Sequence, residues 1–394
     1  MPGSERGTPH QAVDGGKGMI DEPWRDFVHT GPGTVAGRYL RTFWQPVARA
    51  QDLQVARGVP VRVMSETFTL FRGESGTPYL LDFRCAHRGT QLPIGWVEGE
   101  AIRCRYHGWL YDSSGQCVEQ PGEDPAFARK IRIGSYPCQE YLGLVFAYLG
   151  EGDPPPMRRF PEFEPPAVLE WGRPEVWPCN YFNRVENDPG HVPFTHRESA
   201  RRRGNTNQLI VRNTQSHETQ FGVRSVVVTT SEAPEQYIDF HMPNINQVRT
   251  LDDLPGTLFW RVPIDDEHCI SFTVGVIPPT GAGAGVMRRQ LPDDYLDSGD
   301  DWKVSEAILA GKMRLEDIDV ELGAAKMFWM EDYLTQVGQD AIPDRSKEHL
   351  GRVDESVMLK RAIWQREMRA LVEGRPLKQW TAPGVSATPP APRG

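Results

Sequence analysis

Two short motifs constrain this chain more than anything else in it: C-x-H at Cys85–His87 and C-x-x-H at Cys104–His107, with sixteen residues between them. Each ends a strand-like run, and glycine follows closely, Gly89 after the first and Gly108 after the second. Glycine permits a tight backbone reversal. Two hairpin tips could therefore approach each other and present four ligands to one site. Two cysteines and two histidines could hold zinc in a tetrahedron. They could instead hold a two-iron cluster in which two imidazoles replace two thiolates on one iron. A zinc finger pairs like with like. Here each pair is mixed, so both thiolates can go to one iron and both imidazoles to the other, and the cluster is the better reading. Cys117, Cys138, Cys179 and Cys269 lack partners at ligand spacing and read as ordinary half-buried thiols.

The rest of the composition removes alternatives. At 394 residues there is room for two or three domains. No run of about 18 apolar residues occurs, so no membrane span is expected. The first twenty residues lack the apolar stretch of a signal peptide, which points to the cytoplasm. There, clustered Cys and His suggest metal before disulfide. The net charge is −9, and no basic patch argues for nucleic acid.

The chain divides at proline. Pro154, Pro155, Pro156, Pro161, Pro165 and Pro166 fall within "GEGDPPPMRRFPEFEPPAV", where no helix or central strand survives. The expected organisation is a partly mobile N-terminal segment (1–40), a β-rich domain (41–150), a proline-rich linker (151–166), a second domain (167–377) and a disordered tail (378–394). Strand candidates in the first domain include "VRVMSETFTLFRG", "TPYLLDFRC" and "LGLVFAYLG". The second holds "GVRSVVVTTS", "QYIDFHMP", "GTLFWRVPI" and "HCISFTVGVIP". A Gly-, Pro- and Asp-rich loop follows near 279–301, then helical composition over about 314–336 and 355–373. Strands followed by helices predict an α+β class with an antiparallel sheet.

A second constellation lies in "ENDPGHVPFTH", which spaces Asp188, His191 and His196 as D-x-x-H-x-x-x-x-H. Two histidines and a carboxylate form a facial iron site with open positions. Positions i and i+5 of a regular helix point about 140° apart. The pair can share a metal only through an irregular segment, which Pro193 supplies. Glu331, Asp332, Asp340 and Asp344 offer carboxylates downstream. On their own these acids read as solvated helix charges, and Asp188 as a helix N-cap.

At this point the chain resembles a known family. "CAHRG", the sixteen-residue spacing and "CRYHGW" look like the Rieske domain of Rieske non-heme iron, or ring-hydroxylating, oxygenases. "TGPGTVAGRYLRTFWQPV" and "DRSKEHLGRVD" look like the phthalate dioxygenase branch of its terminal oxygenase α subunits, a resemblance covering about 20–375. It implies a 41–150 Rieske domain and a 167–377 catalytic domain of helix-grip type. The implied cofactors are a [2Fe-2S] cluster on Cys85, His87, Cys104 and His107 and a mononuclear Fe(II) on His191, His196 and Asp332, with O2 as co-substrate. Tyr106 and Trp109 would shield the cluster. Asp188 would link His191 to His107 of a neighbouring subunit, orienting a ligand and carrying electrons. The implied activity is hydroxylation, dihydroxylation or O-demethylation of an aromatic acid or methoxyaromatic in catabolism. The implied partners are a flavin and iron-sulfur reductase or ferredoxin, and further copies in a homotrimer or a dimer of trimers.

Members often read E-N-x-x-D-x-x-H, whereas Glu186 and Asn187 abut Asp188 here. That leaves the roles of Glu186 and Asn187 open. Pocket candidates are His241, Asn244, Asn246 and Trp260, each of which could equally pack the sheet. Arg249 or Arg261 could hold a substrate carboxylate, though a surface arginine is the plainer reading. The competing functions are an electron carrier with a partner-binding second domain, an oxygenase for a non-aromatic small molecule, and a zinc-binding interaction module.

Overall fold

The computed structural model describes residues 22–187, 195–202, 213–228, 236–248, 256–277, 299–318 and 324–381. A short helix, α1 (Val35–Arg41), opens this part; the Thr34 hydroxyl caps it by accepting from Gly37 N. Strands β1 (Trp44–Arg49), β2 (Arg57–Val63), β3 (Glu66–Arg72) and β4 (Pro78–Asp82) follow. Next come β5 (Trp96–Glu98), β6 (Ala101–Arg103), β7 (Leu110–Tyr111), β8 (Cys117–Glu119) and the single turn α2 (Pro125–Ala128). The region closes with β9 (Ser135–Tyr136), β10 (Cys138–Tyr141) and β11 (Leu144–Tyr148). These strands form three antiparallel sheets: β1-β11-β10, β2-β3-β4-β9 and β5-β6-β7-β8.

The second region begins with β12 (Val168–Trp171), β13 (Glu175–Trp177) and two short helices, α3 (Tyr181–Val185) and α4 (Arg197–Arg202). Then come β14 (Asn213–Glu218), β15 (Gly222–Val228), β16 (Gln236–His241), β17 (Ile245–Val248), β18 (Thr257–Pro263) and β19 (Cys269–Ile277). Among the described residues they make one antiparallel sheet of order β12-β19-β18-β17-β16-β15-β14, with β13 also on β19. Helices α5 (Gly299–Leu309), α6 (Ala324–Val337) and α7 (Glu355–Val372) complete the chain. This is the α+β architecture expected: an N-terminal β region, then an antiparallel sheet with helices.

Alternation along β18 sets up the interior. Leu258, Trp260 and Val262 point into the main core, where Trp260 packs against Phe146 and Phe160. Phe259 and Arg261 point to the opposite face. Pairing places Arg261 beside Ser271, and Ser271 beside Glu175, in one row across β18, β19 and β13. Asn246, Phe259 and Thr273 make the adjacent row.

Several expectations need correction. Of the loop expected near 279–301 only 299–301 are described, and they are helical in α5, where Trp302 stacks on Tyr333 at 4.2 Å and a tertiary contact outweighs the Gly and Asp signal. Within the helical stretch expected over about 314–336, Leu315–Asp317 is one 3-10 turn and Ala324–Val337 is α-helix, while 319–323 lie outside the described residues. Proline limits 151–166 to a single 3-10 turn at Pro161–Phe163 but does not prevent packing, since Phe160 and Phe163 are buried in the core. The segment assigned to the tail is docked at its start: Lys378 Nζ donates to Glu218, Thr381 N to Gln220 O, and Trp380 Nε1 to Tyr39 OH. Residues 1–21 and 382–394 lie outside the described residues.

Candidate active site and its electron-transfer centre

The two Cys/His motifs fold into matching turns. Cys85 O accepts from Gly89 N at 2.9 Å and Cys104 O from Gly108 N at 3.0 Å. Cys85 N donates to Thr90 O and Cys104 N to Trp109 O. Gly89 and Gly108 have φ of +75° and +74°, left-handed backbone that a side chain would strain. A small core including Phe71, Leu81, Leu92, Ile102 and Tyr111 supports both turns.

The turns sort their donors by element. The two thiols are buried and within hydrogen-bonding reach of each other. The two imidazoles are exposed, with ring centroids 4.6 Å apart. His87 stacks on Trp109 at 4.5 Å, and Tyr106 tilts over His107 at 3.7 Å. Burial and the neighbouring Cys85 raise the Cys104 thiol pKa, partly offset by backbone N–H groups of Tyr106 and His107 that point at its sulfur. Desolvation and the neighbouring His87 and Arg88 lower the His107 pKa, favouring the neutral imidazole that binds metal. A thiolate pair inside and an imidazole pair outside fit a two-iron cluster whose irons carry different ligands.

The sequence motifs did not single out Tyr111. Its hydroxyl accepts from Ala86 N at 3.1 Å and lies 3.2 Å from Cys85 Sγ. With its lone pair engaged by the amide, the hydroxyl proton is free to point at the sulfur.

The second constellation is seen in part. Asp188 and His191 lie outside the described residues, as does Arg249. His196 is 5% exposed and sits with its Nε2 3.5 Å from Asp332 Oδ1. Its ring stacks on Phe328 at 3.5 Å, and its buried Nδ1 lies 3.7 Å from Glu331 Oε2, beyond hydrogen-bond length. A buried imidazole facing a carboxylate fits a pair of metal ligands.

The adjacent acids on α6 have separate duties. Glu331 accepts from the backbone N–H of Glu198 at 2.6 Å and of Ser199 at 3.3 Å, anchoring the N-terminus of α4. Asp332 receives one long bond, from Asn187 Nδ2 at 3.4 Å, and otherwise faces His196. Neither acid is a solvated charge, since their exposures are 2% and 5%. Asp344 is a surface cap held by Ser346 and Lys347. Glu186 turns away to ion-pair with Arg345 at 3.0 Å and with Arg361. Asn187, not Glu186, reaches the Asp332 carboxylate.

The pocket candidates divide. His241 bonds Gln247, and Asn244 bonds Gln45 and the Arg261 carbonyl, so both brace the sheet. Trp260 belongs to the core. Asn246 is buried with a free Oδ1. Arg261 is not a surface arginine: it is 5% exposed, and its Nη1 donates to Ser271 Oγ at 2.6 Å. Burial, and Arg184 nearby, pull its guanidinium down to about 9, still protonated at neutral pH. Cys179 and Cys269 flank this cluster and, like Cys117, are fully buried rather than half-buried. Half-buried Phe259, Phe328 and Trp329 form an aromatic wall between Arg261 and His196.

A family model for the Rieske [2Fe-2S] domain matches residues 43–137, enclosing both turns. Curated relatives extend the likeness along the chain. The 5,5'-dehydrodivanillate O-demethylase oxygenase subunit of Sphingobium sp. (strain NBRC 103272 / SYK-6) is 30% identical over 368 residues, covering 87% of this chain and 79% of the relative. The phenoxybenzoate dioxygenase subunit alpha of Ectopseudomonas oleovorans is 29% identical over 371 residues, covering 87% and 84%. Among solved structures, the reduced complex between oxygenase and ferredoxin in carbazole 1,9a-dioxygenase aligns with a TM-score of 0.60 at 22% identity, over 90% of this chain and 98% of that one. Pseudomonas putida CBB5 NdmB aligns with a TM-score of 0.62 at 20% identity, over 85% and 93%. Paired cluster turns in the first region, a buried imidazole facing a carboxylate in the second and relatives aligned over most of their length lead to one assignment: this chain belongs to the Rieske non-heme iron oxygenases, as a terminal oxygenase α subunit.

Proposed function

We propose that this oxygenase uses O2 and electrons from a reductase or ferredoxin to hydroxylate, dihydroxylate or O-demethylate an aromatic compound. The observation that carries the reading is the buried His196–Asp332 pair facing an aromatic wall, in a chain that also holds the cluster turns. Cys85, Cys104, His87 and His107 would hold the [2Fe-2S] cluster, and His191, His196 and Asp332 the mononuclear Fe(II). That iron supplies the oxygen chemistry when bound. The chain's own residues do the rest. Asn187 and Glu331 orient the ligands, and Phe259, Phe328 and Trp329 exclude water and pack a ring. Asp188 would orient His191 and connect it to a neighbouring cluster in a homotrimer. The exposed imidazole edge of the cluster is the side open to such a contact or to a donor. The names of the relatives support aromatic substrates, and the carbazole oxygenase–ferredoxin complex supports a ferredoxin-type donor. Among the described residues no helix is long and apolar enough to cross a membrane, and the cytoplasm is proposed as the compartment.

The test is a coupled assay on the purified protein with a reductase. Oxygen consumption is followed across aromatic acids, methoxyaromatics and alicyclic controls, alongside iron content and the cluster's EPR signal. About three irons per chain and aromatic-dependent oxygen uptake are expected. Two irons, or a His196→Ala variant that turns over at the wild-type rate, would overturn the reading.

A further inference from the structure

A cavity of 180 Å³ lies where the first region, the proline-rich linker, the large sheet and the docked C-terminal strap meet. Trp44 on β1, Phe146 on β11, Phe160 in the linker, Trp260 on β18 and Trp380 in the strap line it. Phe146 and Phe160 each meet the Trp260 ring edge-on, at 5.7 and 5.9 Å. Trp260 projects from the face of β18 opposite Phe259 and Arg261. Neither His196 nor Asp332 lines this cavity, so it is separate from the candidate iron site. An apolar cavity of about 150 Å³ takes up benzene. This one has room for a ring with a small substituent.

The polar atoms of its aromatic wall are engaged elsewhere. Trp44 Nε1 donates to Pro155 O at 2.8 Å, Trp380 Nε1 to Tyr39 OH at 3.2 Å, and Tyr141 OH, beside them, to Glu164 Oε1 at 3.0 Å. The rings therefore offer the cavity apolar surface. The charge is one-sided: Arg158 and Lys378 line the cavity, and no acid does. Lys378 is answered by Glu218 at 2.6 Å and Thr219 O at 3.0 Å. Arg158 meets only carbonyl oxygens, its Nη1 donating to Met242 O at 2.9 Å and its Nη2 to Trp380 O at 3.0 Å. Among the described residues no carboxylate offsets its charge. Burial, opposed by Tyr39, pulls its guanidinium down to about 10, still protonated at neutral pH. A guanidinium has five N–H donors, and the two carbonyls leave it capacity for more. A cation without an acid, set in an aromatic cavity, suits a ligand that brings both a ring and a negative charge.

We propose that this cavity is a second ligand site, which takes a one-ring aromatic carboxylate with its ring against Trp260 and Trp380 and its carboxylate on Arg158. The site does not depend on the oxygenase reading above. A ligand held there also ties down the strap, because Arg158 binds the Trp380 carbonyl and the next amide, of Thr381, donates to Gln220 O at 3.0 Å.

The experiment uses the full, cluster-loaded, oxidised protein without reductase. Amide hydrogen exchange, read peptide by peptide, is titrated with benzoate, benzamide and acetate, so binding here is distinguished from binding beside Asp332. Benzoate is expected to slow exchange over 157–160 and 377–381, with half-saturation about 10- to 100-fold lower than for benzamide or acetate. Arg158→Gln should bring benzoate to within about 3-fold of benzamide. Met157→Trp, which fills the cavity from the linker and keeps Arg158, should abolish the protection. Equal half-saturation by benzoate and benzamide in the wild type overturns the proposal without any variant. So does protection confined to the segments bearing His196 and Asp332, a preference that persists in Arg158→Gln, or protection that survives in Met157→Trp.

Discussion

Asn187 and Asp332 are separated by 145 positions in sequence and meet through the Asn187 amide, which donates to Asp332 Oδ1 at 3.4 Å. Asn187 follows the last turn of α3, and Asp332 sits mid-way along α6. The same two elements are tied again by Asn183 and Arg184 onto Gln336. The helix pair therefore fixes where the carboxylate stands before any metal binds. Asn187→Ala should keep the fold and the cluster spectrum while weakening mononuclear iron binding about 10- to 100-fold. Competitive chelation followed by iron analysis measures this, and unchanged retention would show that Asn187 positions nothing.

The duties of Glu331 and Asp332 separate under substitution. Asp332→Asn preserves shape and removes the ligand charge. It should leave about two irons per chain and an intact cluster signal. Glu331→Gln weakens the anchor of α4 at the Glu198 and Ser199 amides, lowering thermal stability more than iron content. A reversed pattern in calorimetry and metal analysis would exchange the roles assigned to the two acids.

Tyr111 bears on the cluster through one hydroxyl. Hydrogen bonds to cluster sulfurs raise the reduction potential by stabilising the electron-rich state. Tyr111→Phe removes the 3.2 Å contact with Cys85 Sγ and little else, since the ring stays in the core beneath the turns. The potential should fall by tens of millivolts in spectroelectrochemical titration, with cluster content unchanged. An unshifted potential would mean that the hydroxyl proton serves another acceptor.

The sequence reveals the cluster site readily because its geometry is local. A four-residue step from each cysteine to a left-handed glycine builds each turn. The strands of the second region are legible for the same reason, as apolar alternation over β18 and β19 survives in any context. The metal pair is harder to read. His196 and Asp332 come together only through the packing of α4 on α6, and a neighbouring acid of equal plausibility, Glu331, differs by one position on the helix. The arginines are harder still. Nothing local distinguishes Arg184 or Arg261 from the surface arginines of this chain, because their burial comes from the lateral row across three strands and from the face of α6 opposite it. Proline misleads in another way. It predicts the loss of regular structure over 151–166, yet Phe160 and Phe163 still fill the core.

Glu186 is the keystone of a charged bridge between α3, the 3-10 turn at Arg345 and α7. It pairs with Arg345 and Arg361, all three side chains being 9–16% exposed. Burial opposes the charge on Arg361, but the carboxylates of Glu186 and Glu348 outweigh it and raise its pKa. Removing the carboxylate leaves Arg345 without its ion pair and Arg361 with Glu348 alone, both guanidinium groups being largely buried. Glu186→Ala should therefore destabilise the fold by about 3 kcal/mol. Calorimetric or denaturant unfolding measures this. A loss within experimental error would show that water replaces the carboxylate.

The C-terminal strap gives a prediction with a defined pH window. Glu218, on β14, receives Arg366 from α7 and Lys378 from the strap, at 2.8 and 2.6 Å. Hydrogen bonding by Arg366, opposed by partial burial and helped by Lys378, lowers its carboxyl from 4.5 to about 2. A carboxyl whose pKa is depressed on folding stabilises the folded state fully above its unfolded value. That contribution fades as pH falls from about 4.5 toward about 2, as folded and unfolded states come to bind the same proton. Glu218→Gln removes the titrating group and keeps its shape. Wild type should therefore melt above the variant at pH 7, and the gap should close progressively below pH 5. Taking the difference between the two proteins cancels the acid sensitivity of every other carboxylate. The strap should release in step: hydrogen exchange at the Thr381 amide, bonded to Gln220 O at 3.0 Å, should accelerate in the variant at pH 7 relative to wild type. A pH-independent gap would locate the stabilisation in packing, with Trp380 against Tyr39 as the contact that holds the strap.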